Sequence, residues 1–482
     1  MKKLFILFFG LISLFAVASC GQSNKLATPT NFQISDNVAS WDAVEGAEKY
    51  RLHITNDNGV DLKRIVNKGT TQKMETYNLD LGIYQVEVQA LAPASSNMED
   101  SDYSAPVQYE VKAPEYPVLA SISGADLIDN DYVKWQGRTS YNEELGVNMI
   151  YHSASSFEVK FTGTKVTLDL YATKYNDSRY KPYAVIIVDN DYNNRFRFPL
   201  TKKNNEVIIS DVISVNGQGI NNEANGTSTG LKNDGKVHTI SVYKSTESTN
   251  SHMGLKSIST DGSFIPEIEV KERLIEFIAA SSSTGHGNLA SSGEQSTANS
   301  DCMQAFSYLT ARALDADISI YSASGWGVKR SKWTQPDQNL YDAYKYVDFY
   351  STERWDVTTY TPDVIVINLG TNDYSYINDN TTPAEKAKRM EDFINQYVDF
   401  LNYLSSAYPN CKIIVFYGLM NEGKEIYDAT DRIVELAQQS NPTIAKIQVS
   451  GDGKGINGHP SVASHKQVAE QLIAKIKVEM GW

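Results

Sequence analysis

The spacing of apolar and polar positions changes along the chain and divides it into three stretches. From residue 30 to about 113 apolar residues alternate with polar ones: Trp41, then Tyr50, Leu52 and Ile54, then Tyr84, Val86, Val88 and Ala90 after Leu81-Gly82. A period of two in short runs parted by turn residues predicts half-buried strands. The stretch 114–268 keeps this β character. Strands are expected at Ser156 to Phe161, Lys165 to Tyr171, Tyr183 to Val188, Glu206 to Ile209 and His238 to Tyr243, with Asn, Gly and Asp between them. From Arg273 the period changes. Apolar runs (Leu274 to Ile278, Ile318 to Tyr321, Val364 to Leu369, Lys412 to Tyr417, Ala445 to Val449) alternate with helical spacing at Cys302 to Leu314, Pro383 to Tyr408 and Ser461 to Met480. Such alternation predicts a parallel sheet wrapped by helices. The expected architecture is multidomain: two β-sandwich domains, 30–113 and 114–268, followed by an α/β domain, 269–482.

Residues 1–19 stand apart. Lys2 and Lys3 precede an apolar run from Leu4 to Val17, which ends in Val17-Ala18-Ser19-Cys20. This reads as an export signal whose end resembles the bacterial lipoprotein cleavage box, in which the cysteine, here Cys20, is lipidated. The expectation is an exported, membrane-anchored lipoprotein at the periplasm or cell surface, with residues 20–29 as a tether. No other stretch is long and apolar enough to span a bilayer. Cys302 and Cys411 are then read as buried free thiols, without metal-ligand spacing.

The chain carries 44 Lys and Arg against 58 Asp and Glu, a net charge of -14. Without Lys2 and Lys3 the balance is 42 against 58, or -16. That acidity argues against nucleic acid or an anionic membrane surface as a ligand. It suits a neutral polysaccharide or a small ester.

Loops at the carboxyl ends of parallel strands carry the chemistry of α/β proteins. Four segments fall there. Leu274 to Gly287, L-I-E-F-I-A-A-S-S-S-T-G-H-G, runs from strand into a turn of small residues and presents Ser281. Ser322 to Gly327 follows the second apolar run, Asn368 to Asp373 the third, and Asn457-Gly458-His459-Pro460 precedes the last helix. An ester hydrolase needs a nucleophile, a base in hydrogen-bond reach of it, and donors for the developing oxyanion. Ser281 can attack, His459 can take the proton, and the backbone N–H groups of Ser281 and Gly325 with the Asn372 amide can donate. Each has an ordinary reading as a turn former or packed side chain; their joint occurrence after successive strands favours the catalytic one. His465 reads as structural, and His286, in the turn after Ser281, as exposed to solvent, with an approach to the site as the alternative. Trp326 is taken as an apolar wall for a sugar ring or acetyl methyl, with core packing as the alternative. Trp333 and Trp355 read as packing residues, and Val133 to Thr139 as an edge strand and turn, with a surface packed against the next domain as the alternative. No cofactor or metal is expected, since no His, Asp or Glu cluster has ligand spacing.

These blocks resemble those of the SGNH (GDSL-type) hydrolases, in the order of that family, most specifically in V-I-N-L-G-T-N-D and H-P-S-V-A-S-H. With a β-sandwich ahead of the hydrolase stretch, K-W-Q-G-R-T and W-D-V-T-T-Y-T-P-D, the region from Pro114 onward is similar to carbohydrate esterase family two. That resemblance implies a jelly-roll-like sandwich joined to an SGNH hydrolase domain, removing acetyl groups from polysaccharides such as xylan and mannan. Separately, L-D-L-G-I-Y-Q-V-E-V-Q-A resembles the tyrosine-corner strand of a fibronectin type III domain, with Trp41 in its core; this implies a spacer and names no function.

Two departures stand out. Ala279-Ala280-Ser281 replaces the usual Gly-Asp-Ser, removing a carboxylate that helps hold the oxyanion loops. Ile456 stands where most SGNH enzymes have an Asp three residues before the histidine. Family-two esterases share that second departure, so the resemblance implies a serine-histidine dyad in which a backbone carbonyl orients the imidazole, with Asn457 or Asp452 as possible aids. The rival reading is a non-catalytic surface glycan-binding lipoprotein with a degenerate site.

Overall fold

The computed structural model describes residues 24–67, 69–112, 117–128, 130–223, 230–266 and 270–482. The export signal and Cys20 lie outside the described residues. The chain divides into two compact units, Met1–Glu115 and Tyr116–Trp482.

The described part of the first unit holds a three-stranded sheet (Gln33–Ser35, Val38–Ser40, Thr71–Lys73) and a four-stranded one (Asp61–Val66, Lys49–Thr55, Gly82–Leu91, Val107–Val111). The alternating residues named above face inward, Trp41, Tyr50, Leu52, Ile54, Tyr84, Val86, Val88 and Ala90 forming its core. The buried Tyr84 ring keeps its hydroxyl satisfied by donating to the Asp80 carbonyl at 2.9 Å.

The second unit begins with two antiparallel sheets, of eight and six strands, packed over a shared apolar core. The first four expected strands of this stretch overlap Ser156–Thr162, Val166–Ala172, Tyr183–Val188 and Asn204–Ile209, and the fifth overlaps His238–Lys244. Met253–Thr260 also forms a strand, lying between Val147–Ile150 and Val166–Ala172. It escaped the pattern because its charged and hydroxyl residues interrupt the apolar alternation.

The α/β part is a five-stranded, all-parallel sheet ordered Asp317–Ser322, Leu274–Ala279, Val364–Asn368, Lys412–Tyr417, Ala445–Gln448. Helices Pro383–Ala407 and Lys424–Ala437 cover one face, and Phe306–Ala313 and Val462–Met480 the other. Both faces are buried, which is why these strands read as continuous apolar runs. The strand order reverses at Leu274–Ala279, so loops leaving it and Val364–Asn368 diverge around a crevice, where such sheets bind ligands.

Strand Tyr183–Val188 shows why the sandwich and the α/β part share one unit. Ala184, Ile186 and Val188 point into the sandwich core, whereas Val185 and Ile187 join the core beneath the parallel sheet. A strand apolar on both faces is one buried between two layers. The string around Arg138 does more than the expected edge strand and turn. Lys134–Gln136 is a short strand on Ser156–Thr162, but Arg138 beyond it is 1% exposed and inserts into the α/β part. Its guanidinium stacks on Tyr321 and Tyr344, donates to the Tyr346 carbonyl at 2.8 Å and lies 3.5 Å from the Glu276 carboxylate.

Candidate active site

Strand Leu274–Ala279 ends in a tight turn, Ser281–Thr284. Ser281 heads that turn, where the first N–H groups lack intrahelical acceptors. Of the three adjacent serines it alone turns toward the crevice: Ser283 is buried, its Oγ donating to Ala280 O at 3.0 Å and paired with Ser322 Oγ at 2.7 Å, and Ser282 is buried. Gly287, three residues past the turn, has φ +61, and a Cβ there would lie 2.7 Å from Ile456 Cβ. That close approach lets the Ile456 N–H donate to Gly287 O at 3.1 Å, docking the histidine loop against the serine loop.

The histidine loop turns through Asn457, at φ 55, and brings His459 back over Ile456. His459 Nδ1 lies 2.9 Å from the Ile456 carbonyl. A carbonyl only accepts, so Nδ1 carries the proton and Nε2 is left as an acceptor. Nε2 is 2.7 Å from Ser281 Oγ. Neither Asn457 nor Asp452 orients the ring: Asp452 accepts from Ser461 at the start of the last helix, and Asn457 is exposed. Burial is the main cause that draws the His459 pKa down to about 4, with the facing His286 ring adding to it.

The second and third strand loops meet the first. The Ala323 N–H donates to Ala279 O, and Asn372 Nδ2 donates to Trp326 O at 2.9 Å, leaving its second N–H for another acceptor. Gly325, at φ +81, lies between them. Behind this loop sits Asp373, buried, which accepts from the N–H groups of Val328, Lys329 and Arg330 at 2.9, 2.8 and 3.0 Å. Desolvation outweighs those donors and raises its pKa to about 6.

Three expectations need correction. His286 is not open to solvent: its ring faces His459 at 4.5 Å and Nδ1 meets Ser324 Oγ at 2.9 Å, because the turn of glycines on either side folds it back over the site. Trp326 is not a wall of the open crevice; it is 4% exposed and packs on Phe349 within the core beside the sheet. The exposed indole beside Gly325 is Trp333, 66% exposed, which therefore is not a packing residue. Trp355 does pack, against Tyr360 and Arg138. His465 is buried, its Nδ1 accepting from the Phe306 N–H, and Cys302 and Cys411 are buried and unpaired. Among the described residues no group of three His, Cys, Asp or Glu could hold a metal ion.

Two further carboxylates reach the site unannounced. Asp373 stands inside the string that carried Asn372, and its role lies in donors five to seven positions beyond Ala323, which spacing does not display. Glu247 comes from the sandwich, and its Oε2 accepts from the Ser324 N–H at 2.9 Å.

The model of the GDSL-like lipase/acylhydrolase family matches residues 260–472. An acetylxylan esterase/glucomannan deacetylase of Cellvibrio japonicus is 30% identical over 258 residues, covering 51% of this chain and 70% of that protein. The chain belongs to the GDSL-like hydrolases. This hydrolase is also 28% identical over 365 residues, 73% of its length, to the cellulase/esterase CelE of Acetivibrio thermocellus, of which it spans 40%. A solved family two carbohydrate esterase from Clostridium thermocellum, in complex with cellohexaose, shares its fold with a TM-score of 0.59 at 24% identity, over 73% of this hydrolase and 99% of that chain. An acetyl xylan esterase from the rumen bacterium Butyrivibrio proteoclasticus does so with a TM-score of 0.62 at 19% identity, over 76% and 100%. The GDSL-like domain is a carboxylic-ester hydrolase domain joined to a β-rich region.

Proposed function

We propose that the protein is a carbohydrate acetyl esterase that removes O-acetyl groups from a polysaccharide or oligosaccharide of the xylan or mannan type. The observation that carries this reading is the 2.7 Å separation of Ser281 Oγ and His459 Nε2, with Nδ1 tied to a backbone carbonyl. As Oγ bonds to the acetyl carbonyl carbon, its proton passes to Nε2, and the Ile456 carbonyl holds the ring in the tautomer this needs. The Ser281 and Gly325 N–H groups and the free N–H of Asn372 hold the oxyanion. The imidazolium then gives its proton to the sugar oxygen as the C–O bond breaks, leaving acetyl-Ser281. His459 next takes a proton from water as the water oxygen bonds to the acyl carbon, and returns it to Oγ as acetate leaves.

The exposed rings of Trp333 and Tyr350 near the second loop offer apolar faces of the kind sugar rings stack on, and the acidic chain suits a neutral glycan. The Cellvibrio japonicus relative, an acetylxylan esterase/glucomannan deacetylase, supports acetyl as the acyl group removed. The described part of the first unit fits a fibronectin type III-like spacer, and the leader sequence fits a lipoprotein with Cys20 acylated, a reading in which the enzyme is held at a membrane facing its glycan. The test is acetate release from acetylated xylan and glucomannan. Ser281→Ala and His459→Ala are each expected to lose at least a thousandfold in kcat; an active Ser281→Ala variant would refute the nucleophile. Glycan retention in affinity gels without hydrolysis of any acetate ester would favour a non-catalytic binding lipoprotein.

A further inference from the structure

The loop that carries Gly325 needs something to fix it, and the residue before the nucleophile cannot help, because Ala280 offers only a methyl group. The nearest acceptor comes from the other half of the unit. Glu247 lies just beyond strand His238–Lys244 of the sandwich, is 4% exposed, and accepts the Ser324 N–H through Oε2 at 2.9 Å. Ser324 is the immediate neighbour of Gly325. The bond fixes the Ala323–Ser324 peptide, the unit adjoining the one from which the Gly325 N–H projects.

Glu247 is itself held on every side. Oε1 accepts from Asn250 Nδ2 at 3.0 Å, and the Glu247 carbonyl accepts from the buried Lys244 Nζ at 3.0 Å. The next residue, Ser248, donates from Oγ to Asp348 of the α/β part. Ser324 Oγ continues the contact to His286, whose ring faces His459. A buried carboxylate with this many fixed partners is a rigid acceptor, and a rigid acceptor one residue from an oxyanion donor preorganises it. We propose that Glu247, contributed by the sandwich, is a positioning residue that holds the Ser324-Gly325 turn and so aims the Gly325 N–H at the oxyanion. The sandwich is thereby part of the catalytic machinery.

The inference rests on the esterase reading above, and the experiment separates the two. Wild type, Ser281→Ala, Glu247→Ala and Glu247→Gln are assayed together on an aryl acetate, and each is titrated with a small boronic acid, which forms a tetrahedral adduct on an active serine. Misplacing one donor costs about ten- to hundredfold. Glu247→Ala is expected to lower kcat by about that factor with KM within threefold, and to raise the boronate Ki in parallel. Glu247→Gln keeps an acceptor oxygen and is expected to recover most of both. If Glu247→Ala does not fold, as its near-UV circular dichroism will show, Asn250→Ala replaces it, with about a threefold to tenfold loss of kcat expected from a carboxylate released on one side. An Ala variant with wild-type kcat, a loss of kcat with unchanged boronate Ki, or a Gln variant as impaired as Ala overturns the role of Glu247. Inactivity of the wild type, or activity of Ser281→Ala, instead overturns the esterase reading on which it stands.

Discussion

With His459 as the proposed base, its imidazole sets the pH behaviour of the site. Burial and the facing His286 hold its pKa at about 4, below the ordinary 6.5. A base works only when neutral, and here the neutral form persists to lower pH. The acidic limb of kcat/KM is therefore expected near pH 4 rather than 6.5, and a pH–rate profile checks it. His286→Gln removes one of the two causes and should move that limb upward. The same depression has a stability consequence. Between pH 6.5 and 4 the unfolded chain binds protons that native His459 and His286 do not, so acidification through that window lowers stability, and Tm should fall with pH there. As a proposed oxyanion donor that also ties down Trp326 O, Asn372 bears on rate: Asn372→Ala is expected to lower kcat about a hundredfold with KM little changed, as loss of one oxyanion donor does elsewhere. The meeting of these loops was legible because Ser281, Gly325 and Asn372 follow apolar runs and His459 immediately precedes the last helix. Glu247, Asp373 and the true placement of His286 and Trp326 were not, because each depends on which loop a distant segment faces.

The loops are held by their own elements. Helix Thr371–Ile377 presents Asp373 as an acceptor for three N–H groups of the loop that follows Gly327, and the approach is tight: a Cβ at Gly327 would lie 2.6 Å from Asp373 Oδ1. Asp373→Ala leaves the buried Val328 N–H and the part-buried N–H groups of Lys329 and Arg330 without their acceptor. The expected cost is about 1–3 kcal/mol, most of it from the buried donor, seen in urea unfolding. The loop beside Gly325 loosens with it, so kcat should fall even in the folded fraction. Element boundaries followed the sequence where caps mark them. Thr382, whose side chain accepts from the Glu385 N–H, and Pro383 at the first position start the long helix, and Ser461 starts the last one. Cys302 to Leu314 instead breaks into a short turn, Cys302–Gln304, and a helix, Phe306–Ala313, since Ala305 is extended. Helix Lys424–Ala437 was not foreseen, although Ile426, Ala429, Ile433, Val434 and Ala437 give it a buried face at the right spacing. Its charged residues, dense on the other face, hid the stripe.

At the scale of the molecule, the boundary that matters lies near residue 116 rather than 270. A change of period at Arg273 marks where strands become parallel, yet period says nothing of whether two layers share a core. Val185 and Ile187 carry the sandwich into the core of the α/β part. Arg195 pairs with Asp301, and Arg197 donates to the carbonyls of Thr297 and Ser300, clamping the loop that leads into helix Phe306–Ala313. A chain beginning at residue 117 should therefore fold and keep kcat within about twofold, whereas one beginning at 270 should not fold into an active protein, having exposed a buried apolar layer. Arg138 tests the same seam with one side chain. Arg138→Leu leaves the Glu276 carboxylate buried, with Tyr344, Tyr360 and Ser319 as hydrogen-bond donors but without its cation. Breaking a buried pair from one side costs about 3–5 kcal/mol, so Tm should fall sharply. Because Arg138 touches neither Ser281 nor His459, the folded fraction should keep its kcat, and a variant of unchanged Tm would show that the seam does not depend on this charge.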